Sequence, residues 1–257
     1  MLLFDQISKP VSVELRGVSV SYSDRRAKLN FALSIDSLDL TPGKLNAIYG
    51  TNGSGKSTLL RAMAGCVRPA QGTIRWTNTY GAPRPGIDHV FVTQAGPMPH
   101  WTLRDNIVKP LLVAGIGKRD AAERCRAMIH ALGLTGLEDR YAHQLSAGQQ
   151  QRAVVARAIA LRPRALLLDE ILSAQSEVWC DRIAEVLSDY RAAGGLVTMI
   201  CHDPDWVRQN AERVVHLVPA GNDVGNRIDF RAGYDGEPDA WFRFRQQRLT
   251  SERSAVS

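Results

Sequence analysis

The stretch Gly50-Thr51-Asn52-Gly53-Ser54-Gly55-Lys56-Ser57, followed by Thr58, decides the fold of this chain. It lies between Leu45–Tyr49, a short apolar run typical of a strand, and residues 57–64, whose apolar side chains have helical spacing. In that setting the glycines let consecutive backbone N–H groups reach phosphate oxygens at the start of a helix. We therefore expect residues 50–58 to bind the phosphates of a nucleoside triphosphate.

Two side chains of this loop have specific expected roles. Lys56 is predicted to sit on the β and γ phosphates, and the Ser57 hydroxyl is predicted to be a ligand of Mg²⁺. The loop alone indicates binding and leaves open what the protein does with the nucleotide.

Acidic residues follow a second predicted strand. Ala165–Leu168 is a continuous apolar run, as expected for a parallel strand buried on both faces, and Asp169 and Glu170 come directly after it. Ligands of parallel sheets bind at the carboxyl ends of strands. We expect Asp169 to hold Mg²⁺, directly or through water, and Glu170 to polarise an attacking water. The alternative is that the two acids merely end a strand at the surface.

The sequence Leu145-Ser146-Ala147-Gly148-Gln149 opens a predicted helix that runs to about Ala160. As plain structure, Ser146 and Gln149 form the S-x-x-Q pattern of a capping box, which requires no ligand. As a functional site, a serine and a glycine at a helix N-terminus can bind an anion such as a γ-phosphate. One phosphate would then have two binding elements in the same chain, the glycine-rich loop and this helix N-terminus. The difficulty disappears if the helix N-terminus binds the phosphate held by a second copy of the chain.

These motifs resemble those of the nucleotide-binding subunit of an ATP-binding cassette (ABC) transporter, from about Val11 to Val218. Residues 145–149 (LSAGQ) resemble the family signature LSGGQ, residues 50–58 resemble the Walker A loop, and residues 166–170 (LLLDE) resemble the Walker B strand. Gln94, which follows the strand-like His89–Thr93, resembles the Q-loop glutamine. His202 resembles the switch histidine, and Tyr22 resembles the aromatic residue that stacks on adenine.

The resemblance implies an α/β fold: a P-loop NTPase core with a mostly parallel sheet, an N-terminal antiparallel β-subdomain and a helical signature subdomain. It implies a head-to-tail dimer in which each ATP lies between the Walker A loop of one chain and the signature of the other. Glu170 would be the general base, His202 would contact the γ-phosphate, and Lys56 would neutralise phosphate charge. Gln94 would touch Mg²⁺ or the water. Ser146, Ala147, Gly148 and Gln149 would bind the second chain's ATP.

The partners implied by the resemblance are a second nucleotide-binding subunit and transmembrane permease subunits, with a solute-binding protein as a further option. The chain would then lie at the cytoplasmic face of the (inner) membrane, held there by the permease. The net charge of +6 comes without a basic stripe interleaved with aromatics, so nucleic acid is not an expected partner. A soluble ABC ATPase of the DNA-repair or ribosome-associated kind, or a regulatory module that binds ATP without driving transport, is the alternative.

Two positions depart from the family pattern. The family usually has a proline after the glutamate and then an S-A-L-D stretch, whereas residues 171–176 read ILSAQS. Ser176 thus stands where an aspartate is expected, and we expect looser communication between the two ATP sites. Ala147 replaces the first glycine of the signature, and phosphate approach is preserved if this residue has a negative φ.

We expect the 257 residues to form a single ABC ATPase domain of two closely packed subdomains. Residues 11–93 and 162–218 would form the ATP-binding core with its antiparallel layer, which we place from Val11 to about Trp76. Residues 95–161 would form the helical subdomain, and residues 219–257 a C-terminal extension. Apolar helix faces are predicted at Cys125, Met128, Ile129 and Leu132, and at Trp179, Ile183, Val186, Leu187 and Tyr190.

The cysteines and a C-terminal aromatic segment also carry predictions. The four cysteines have neither metal-type spacing nor a paired arrangement, which predicts reduced, buried thiols. The segment Trp241–Leu249 mixes aromatics with arginines. Our first interpretation is a terminal packing segment, and the alternative is contact with a partner subunit or an anionic bilayer.

Overall fold

A computed structural model describes residues 4, 6–24, 29–79, 81–93, 96–219 and 227–245, with the side chains of residues 22–31, 219, 227–231, 233 and 234 left out. The described strands form one sheet in the order β4-β1-β2-β9-β8-β3-β7-β6-β5. They are β1 (Val13–Asp24), β2 (Leu29–Leu40), β3 (Leu45–Gly50), β4 (Gln71–Trp76), β5 (His89–Val92), β6 (Ala165–Asp169), β7 (Leu196–Ile200), β8 (Arg213–Pro219) and β9 (Arg227–Gly236). The helices are α1 (Lys56–Met63), α2 (Leu103–Val113), α3 (Lys118–Ala131), α4 (Ala147–Ala160), α5 (Glu177–Ala192) and α6 (Pro204–Asn210).

The parallel part of the sheet contains β8, β3, β7, β6 and β5. Every residue of β6 and β7 is buried, because helices cover both faces of a parallel sheet. The runs predicted as strands at Leu45–Tyr49, Ala165–Leu168 and His89–Thr93 are confirmed as β3, β6 and β5. Since β3, β7 and β6 are adjacent and parallel, their carboxyl ends lie side by side.

The antiparallel part contains β4, β1 and β2. It is narrower than the predicted layer from Val11 to about Trp76, because β3 within that segment pairs in parallel with β7 and β8 instead. The strand β9 from the C-terminal region pairs in parallel with β2 and antiparallel with β8. It thereby joins the antiparallel part to the parallel part, a link that the sequence analysis did not predict.

The helices α2, α3 and α4 pack against one another between β5 and β6 in the chain. The predicted apolar face of α3 is confirmed, since Cys125, Met128, Ile129 and Leu132 are all buried. The face of α5 is confirmed for Ile183, Val186, Leu187 and Tyr190, which are buried in the same core. Within the described ranges, no helix is both long enough and apolar enough to span a bilayer.

Trp179 departs from the predicted α5 face. Its side chain is only half-buried and lies against Gly133, just past the end of α3, where an added Cβ would be 1.8 Å from the ring. Gly133 also has a φ of +60°. A glycine at this position therefore permits both the backbone turn and the close approach of the tryptophan.

We expect Gly133→Ala to destabilise the fold by about 1–3 kcal/mol more than Gly136→Ala does. Both glycines have positive φ, +60° and +82°, so both variants strain the backbone, but an added Cβ at Gly136 meets nothing within 4 Å. The difference between their unfolding free energies in urea isolates the contact with Trp179. Equal destabilisation by the two variants would show that the Trp179 ring can move away from the added Cβ without a loss of stability.

All four cysteines are free, but their environments differ. Cys125 and Cys201 are buried as predicted, and burial raises the pKa of their thiols to about 11 and about 12. Cys180 is partly buried, whereas Cys66 is exposed, so the prediction of a buried thiol is wrong there. Cys66 follows the end of α1, where the chain turns back along the surface.

A helix at residues 238–245 packs against the strand that leads into the phosphate loop. Trp241 is fully buried, its ring lies 4.9 Å from that of Tyr49, and its Nε1 donates a hydrogen bond of 3.3 Å to His216 Nδ1. Arg208 on α6 pairs with Asp239 at 2.8 Å. The interpretation as a packing segment is confirmed for residues 241–245, and residues 246–249 lie outside the described residues.

Candidate active site

The glycine-rich loop joins β3 to α1 as predicted. Gly50 ends β3 with a φ of +154°, and an added Cβ there would lie 2.6 Å from Ser54 Oγ and 2.8 Å from the carbonyl oxygen of Leu217. Gly55 adopts a left-handed conformation, φ +92°, at the N-cap of α1. Glycine is thus required at both positions, by packing at Gly50 and by backbone conformation at Gly55.

A cavity of about 470 Å³ lies over this loop, lined by Asn52, Gly53, Gly55, Lys56, Ser57, Thr58 and Glu170. Lys56 is 5% exposed, and its Nζ donates hydrogen bonds of 2.9 Å to the carbonyl oxygens of Gly50 and Thr51. Burial lowers the pKa of Lys56, while Glu170 and Asp169 oppose that shift. Because its direct partners are neutral carbonyls, the buried ammonium favours an anionic ligand.

The two expected Mg²⁺ ligands lie in contact. Ser57 Oγ donates a hydrogen bond of 3.1 Å to Asp169 Oδ1, where β6 ends beside the loop. Asp169 is 7% exposed, and burial raises its pKa although the hydrogen bond from Ser57 opposes the shift. A hydroxyl and a carboxylate fit Mg²⁺, which takes few protein ligands and completes its shell with phosphate oxygens and water. The described residues contain no group of three or more His, Cys, Asp or Glu side chains suited to a metal.

Glu170 and His202 form a close pair beside this cavity, with Glu170 Oε1 2.7 Å from His202 Nε2. Glu170 has a φ of +53°, a left-handed conformation that is unfavourable for a residue with a side chain. His202 lies between the end of β7 and α6, whose N-cap Asp203 accepts hydrogen bonds from the N–H groups of Asp205 and Trp206. Neighbouring strands therefore bring together a carboxylate and an imidazole that are 32 residues apart.

The signature residues lie at the N-terminus of α4. The capping box is confirmed: Ser146 Oγ accepts from the Gln149 N–H at 3.3 Å, and Gln149 Oε1 accepts from the Ser146 N–H at 2.9 Å. Ala147 begins the helix with a negative φ, the condition set for phosphate approach. Ser146 and Ala147 are exposed, and among the described residues that line the phosphate-loop cavity there is none from 145–149.

The other predicted site residues divide into two groups. In the loop, Thr51, Asn52 and Gly53 are exposed, Ser54 is buried, and Thr58 is partly buried at the start of α1. Gln94 lies outside the described residues. Tyr22 belongs to β1 by its backbone, but its side chain is likewise outside what the structure describes.

The segment after Glu170 contains one residue that sequence analysis missed. The side chain of Gln175 contacts the signature helix, where its Nε2 lies 3.2 Å from the carbonyl oxygen of Gly148 and 2.9 Å from Gln151 Oε1. The sequence contained one indication of this role, because Gln175 stands where the family's S-A-L-D pattern has leucine. Ser176 is the exposed N-cap of α5 and makes no side-chain capping hydrogen bond.

Comparisons with known proteins show which sequences this chain resembles. A family model described as "ABC transporter" matches residues 33–173. The chain is 34% identical to the methionine import ATP-binding protein MetN of Bacillus subtilis (strain 168), over 79% of this chain and 62% of MetN. It is 33% identical to the lipoprotein-releasing system ATP-binding protein LolD 1 of Rhodospirillum rubrum, over 80% of this chain and 95% of LolD 1.

Among solved structures, the fold resembles the dimeric, post-hydrolysis ATP-binding cassette MJ0796 bound to ADP and Pi. The TM-score is 0.73, with 22% identity over 88% of this chain and 98% of MJ0796. At that identity the likeness shows a shared fold.

Proposed function

This chain belongs to the ABC transporter family, and we propose that it is the ATP-binding and ATP-hydrolysing motor subunit of a transporter. The observation that carries the proposal is that a phosphate loop, a Ser57–Asp169 pair and a Glu170–His202 pair meet at one edge of the sheet. Three adjacent strands, β3, β6 and β7, hold these groups, so the site is fixed by the core of the fold.

In the proposed reaction the water oxygen bonds to the γ-phosphorus while the bond from phosphorus to the bridging oxygen breaks. The proton of the water passes to the Glu170 carboxylate, and ADP and inorganic phosphate leave. His202 holds that carboxylate through the 2.7 Å contact and also contacts the γ-phosphate. Lys56 and the loop N–H groups neutralise phosphate charge. Ser57, Asp169 and Gln94 would hold Mg²⁺, which supplies further neutralisation of the phosphate oxygens.

We propose that a second copy of the chain completes each site. The exposed N-terminus of α4, with Ser146 and Gly148, is suited to bind an anion and does not line the chain's own phosphate-loop cavity. A head-to-tail pair would place Ser146, Ala147, Gly148 and Gln149 on the ATP held by the other chain. The dimeric state named for MJ0796 supports this arrangement.

The remaining partners follow from the relatives. MetN is named as an import protein and LolD 1 as part of a releasing system, which supports permease subunits as the partners of this chain and leaves either direction of transport open. We place the chain at the cytoplasmic face of the membrane, bound through those permeases. A solute-binding protein would be added if the system is an importer.

The proposed division of the chain keeps one ABC ATPase domain. Residues 11–93 and 162–218 form the ATP-binding core, and residues 95–161 form the helical subdomain, which contains α2, α3 and α4. Residues 219–257 form the C-terminal extension. Its strand β9 pairs with β2 and β8, which supports treating the extension as part of the same domain.

The proposal predicts that the Glu170→Gln variant of the full chain dimerises only with ATP and Mg²⁺. Two ATP molecules held at the interface supply the attraction, and loss of the base keeps them from being hydrolysed. Light scattering should show the mass double on addition of Mg²⁺-ATP. The double variant Lys56→Met/Glu170→Gln is the control and should remain a monomer. An unchanged mass for Glu170→Gln at high protein concentration would contradict the two-chain site.

A further inference from the structure

A row of polar side chains connects the signature helix to Glu170. Gln151 Nε2 donates a hydrogen bond of 3.2 Å to the carbonyl oxygen of Glu170. Gln175 Nε2 donates one of 2.9 Å to Gln151 Oε1, and Arg152 Nη1 donates one of 3.0 Å to Gln175 Oε1. Gln151 and Arg152 are each 7% exposed and Gln175 is partly buried, so most of the row is shielded from solvent.

The chemistry of the two ends fixes the direction of every hydrogen bond in the row. The Glu170 carbonyl can only accept, and the Arg152 guanidinium can only donate. Each amide between them must therefore present its NH₂ group toward Glu170 and its oxygen toward Arg152. The hydrogen bonds of the row therefore have one possible arrangement, and removal of one amide leaves polar atoms of its neighbours without partners.

The far end of the row is anchored. The Arg152 guanidinium carbon lies 4.0 Å from the centre of the Trp179 ring, which packs on Gly133. Gln175 Nε2 also lies 3.2 Å from the carbonyl oxygen of Gly148, in the signature itself. An added Cβ at Gly148 would lie 3.1 Å from the carbonyl oxygen of Ala174, so the signature and the loop after Glu170 are in tight contact.

The near end of the row holds a strained residue. Glu170 has a φ of +53°, and such a conformation persists only where surrounding contacts impose it. The Glu170 carbonyl oxygen accepts from Gln151 and from both the N–H and the Oγ of Ser173. These bonds set the direction of the backbone at Glu170, and thereby the position of its carboxylate beside His202.

We propose that Gln151 and Gln175 are positioning residues that couple the signature helix of this chain to the carboxylate of Glu170. The inference rests on the proposed function. In a head-to-tail dimer the signature touches the ATP of the other chain, while Glu170 acts on the chain's own ATP. The row therefore links the two sites through the inside of one subunit, in a chain where Ser176 replaces the expected acid at the surface.

The test compares Gln175→Leu with Gln71→Leu in the purified full-length chain. Gln71 lies exposed on β4, far along the sheet from Glu170, and gives the same chemical change. Gln175→Leu should lower kcat about 10-fold, with KM for ATP close to wild type, because it disturbs the base and leaves the phosphate cavity intact. Gln71→Leu should match the wild type. A wild-type kcat for Gln175→Leu would overturn the inference.

A pair of compensating changes separates positioning from general structure. Gln175→Glu alone places a carboxylate against the side-chain oxygen of Gln151, so two acceptors face each other. Gln151→Lys alone places an ammonium group against the NH₂ group of Gln175, so two donors face each other. In the double variant the lysine donates to the Glu170 carbonyl and to the new carboxylate, which also accepts from Arg152. The original direction of donation returns along the row, and only the Gly148 carbonyl loses its donor. The double variant should recover kcat to within about 3-fold of wild type. A double variant no better than the poorer single variant would refute the coupling.

One measurement is independent of ATP hydrolysis. In the nucleotide-free chain, the Ser173 N–H is bonded to the Glu170 carbonyl at 3.3 Å. Hydrogen exchange of this amide should quicken in Gln175→Leu and stay unchanged in Gln71→Leu. Unchanged exchange in Gln175→Leu would overturn the inference, whereas a wild-type chain without ATPase activity would refute the proposed function alone.

Discussion

Replacement of Glu170 by glutamine is expected to lower the rate of ATP turnover about 10²–10⁴-fold while ATP binding is retained. The glutamine cannot take the proton of the attacking water, yet it keeps the size of the side chain and leaves Lys56 and the loop N–H groups in place. Glu170 Oε1 lies 2.7 Å from His202 Nε2, so the reactive carboxylate is held at the cavity that it lines. Turnover is measured by phosphate release, and binding by equilibrium titration with ATP and Mg²⁺.

The matched control is Glu123→Gln, the same change on the exposed surface of α3. It should leave both turnover and binding at wild-type values. If Glu170→Gln turned over ATP as fast as the control, a different group would have to be the general base.

Replacement of Lys56 by methionine is expected to weaken ATP binding about 10–100-fold, because a charged hydrogen bond contributes about 1.5–3 kcal/mol. Methionine has a similar length and no charge. Burial lowers the pKa of Lys56, which means that the folded, nucleotide-free chain disfavours the charged form. The variant should therefore lose affinity for ATP without a comparable loss of stability.

Titration with ATP and thermal unfolding without ATP test the two halves of this prediction. Lys118→Met, on the exposed start of α3, is the control and should change neither quantity. A large fall in the unfolding temperature of Lys56→Met with unchanged affinity would mean that Lys56 serves the fold rather than the nucleotide.

The elements that the sequence predicted well are those that local pattern determines. The apolar runs of β3, β6 and β7 specify buried parallel strands, and the capping residues of α4 specify where that helix begins. The closeness of Asp169 to Ser57 follows from the same pattern, because β6 and β3 flank β7 and the carboxyl ends of these parallel strands share one edge of the sheet.

What the sequence did not predict depends on distant partners. The strand β9 pairs with β2, which lies about 200 residues earlier in the chain. A local sequence pattern cannot predict so distant a partner. The role of Gln175 likewise depends on Gln151 and Arg152, more than twenty residues away on α4. The sequence favoured packing for the segment that begins at Trp241 and left membrane contact as the alternative. The burial of Trp241 against Tyr49 and His216 supports packing.

We expect each ATP site to be shared by two chains, and a mixture of two inactive variants provides a direct test. Lys56→Met disables the phosphate loop. Ser146→Asp keeps a good N-cap for α4 but places a negative charge where the other chain's phosphate would bind. In a head-to-tail dimer, a mixed pair contains one intact site, formed by the loop of one variant and the signature of the other.

The measurement is the ATPase rate of an equal mixture of the two full-length variants. Random pairing gives mixed dimers in about half of the population. Each mixed dimer has one of its two sites intact, so we expect the mixture to show about a quarter of the wild-type ATPase rate. Each variant alone should be nearly inactive. A mixture no more active than the sum of its components would contradict the shared site.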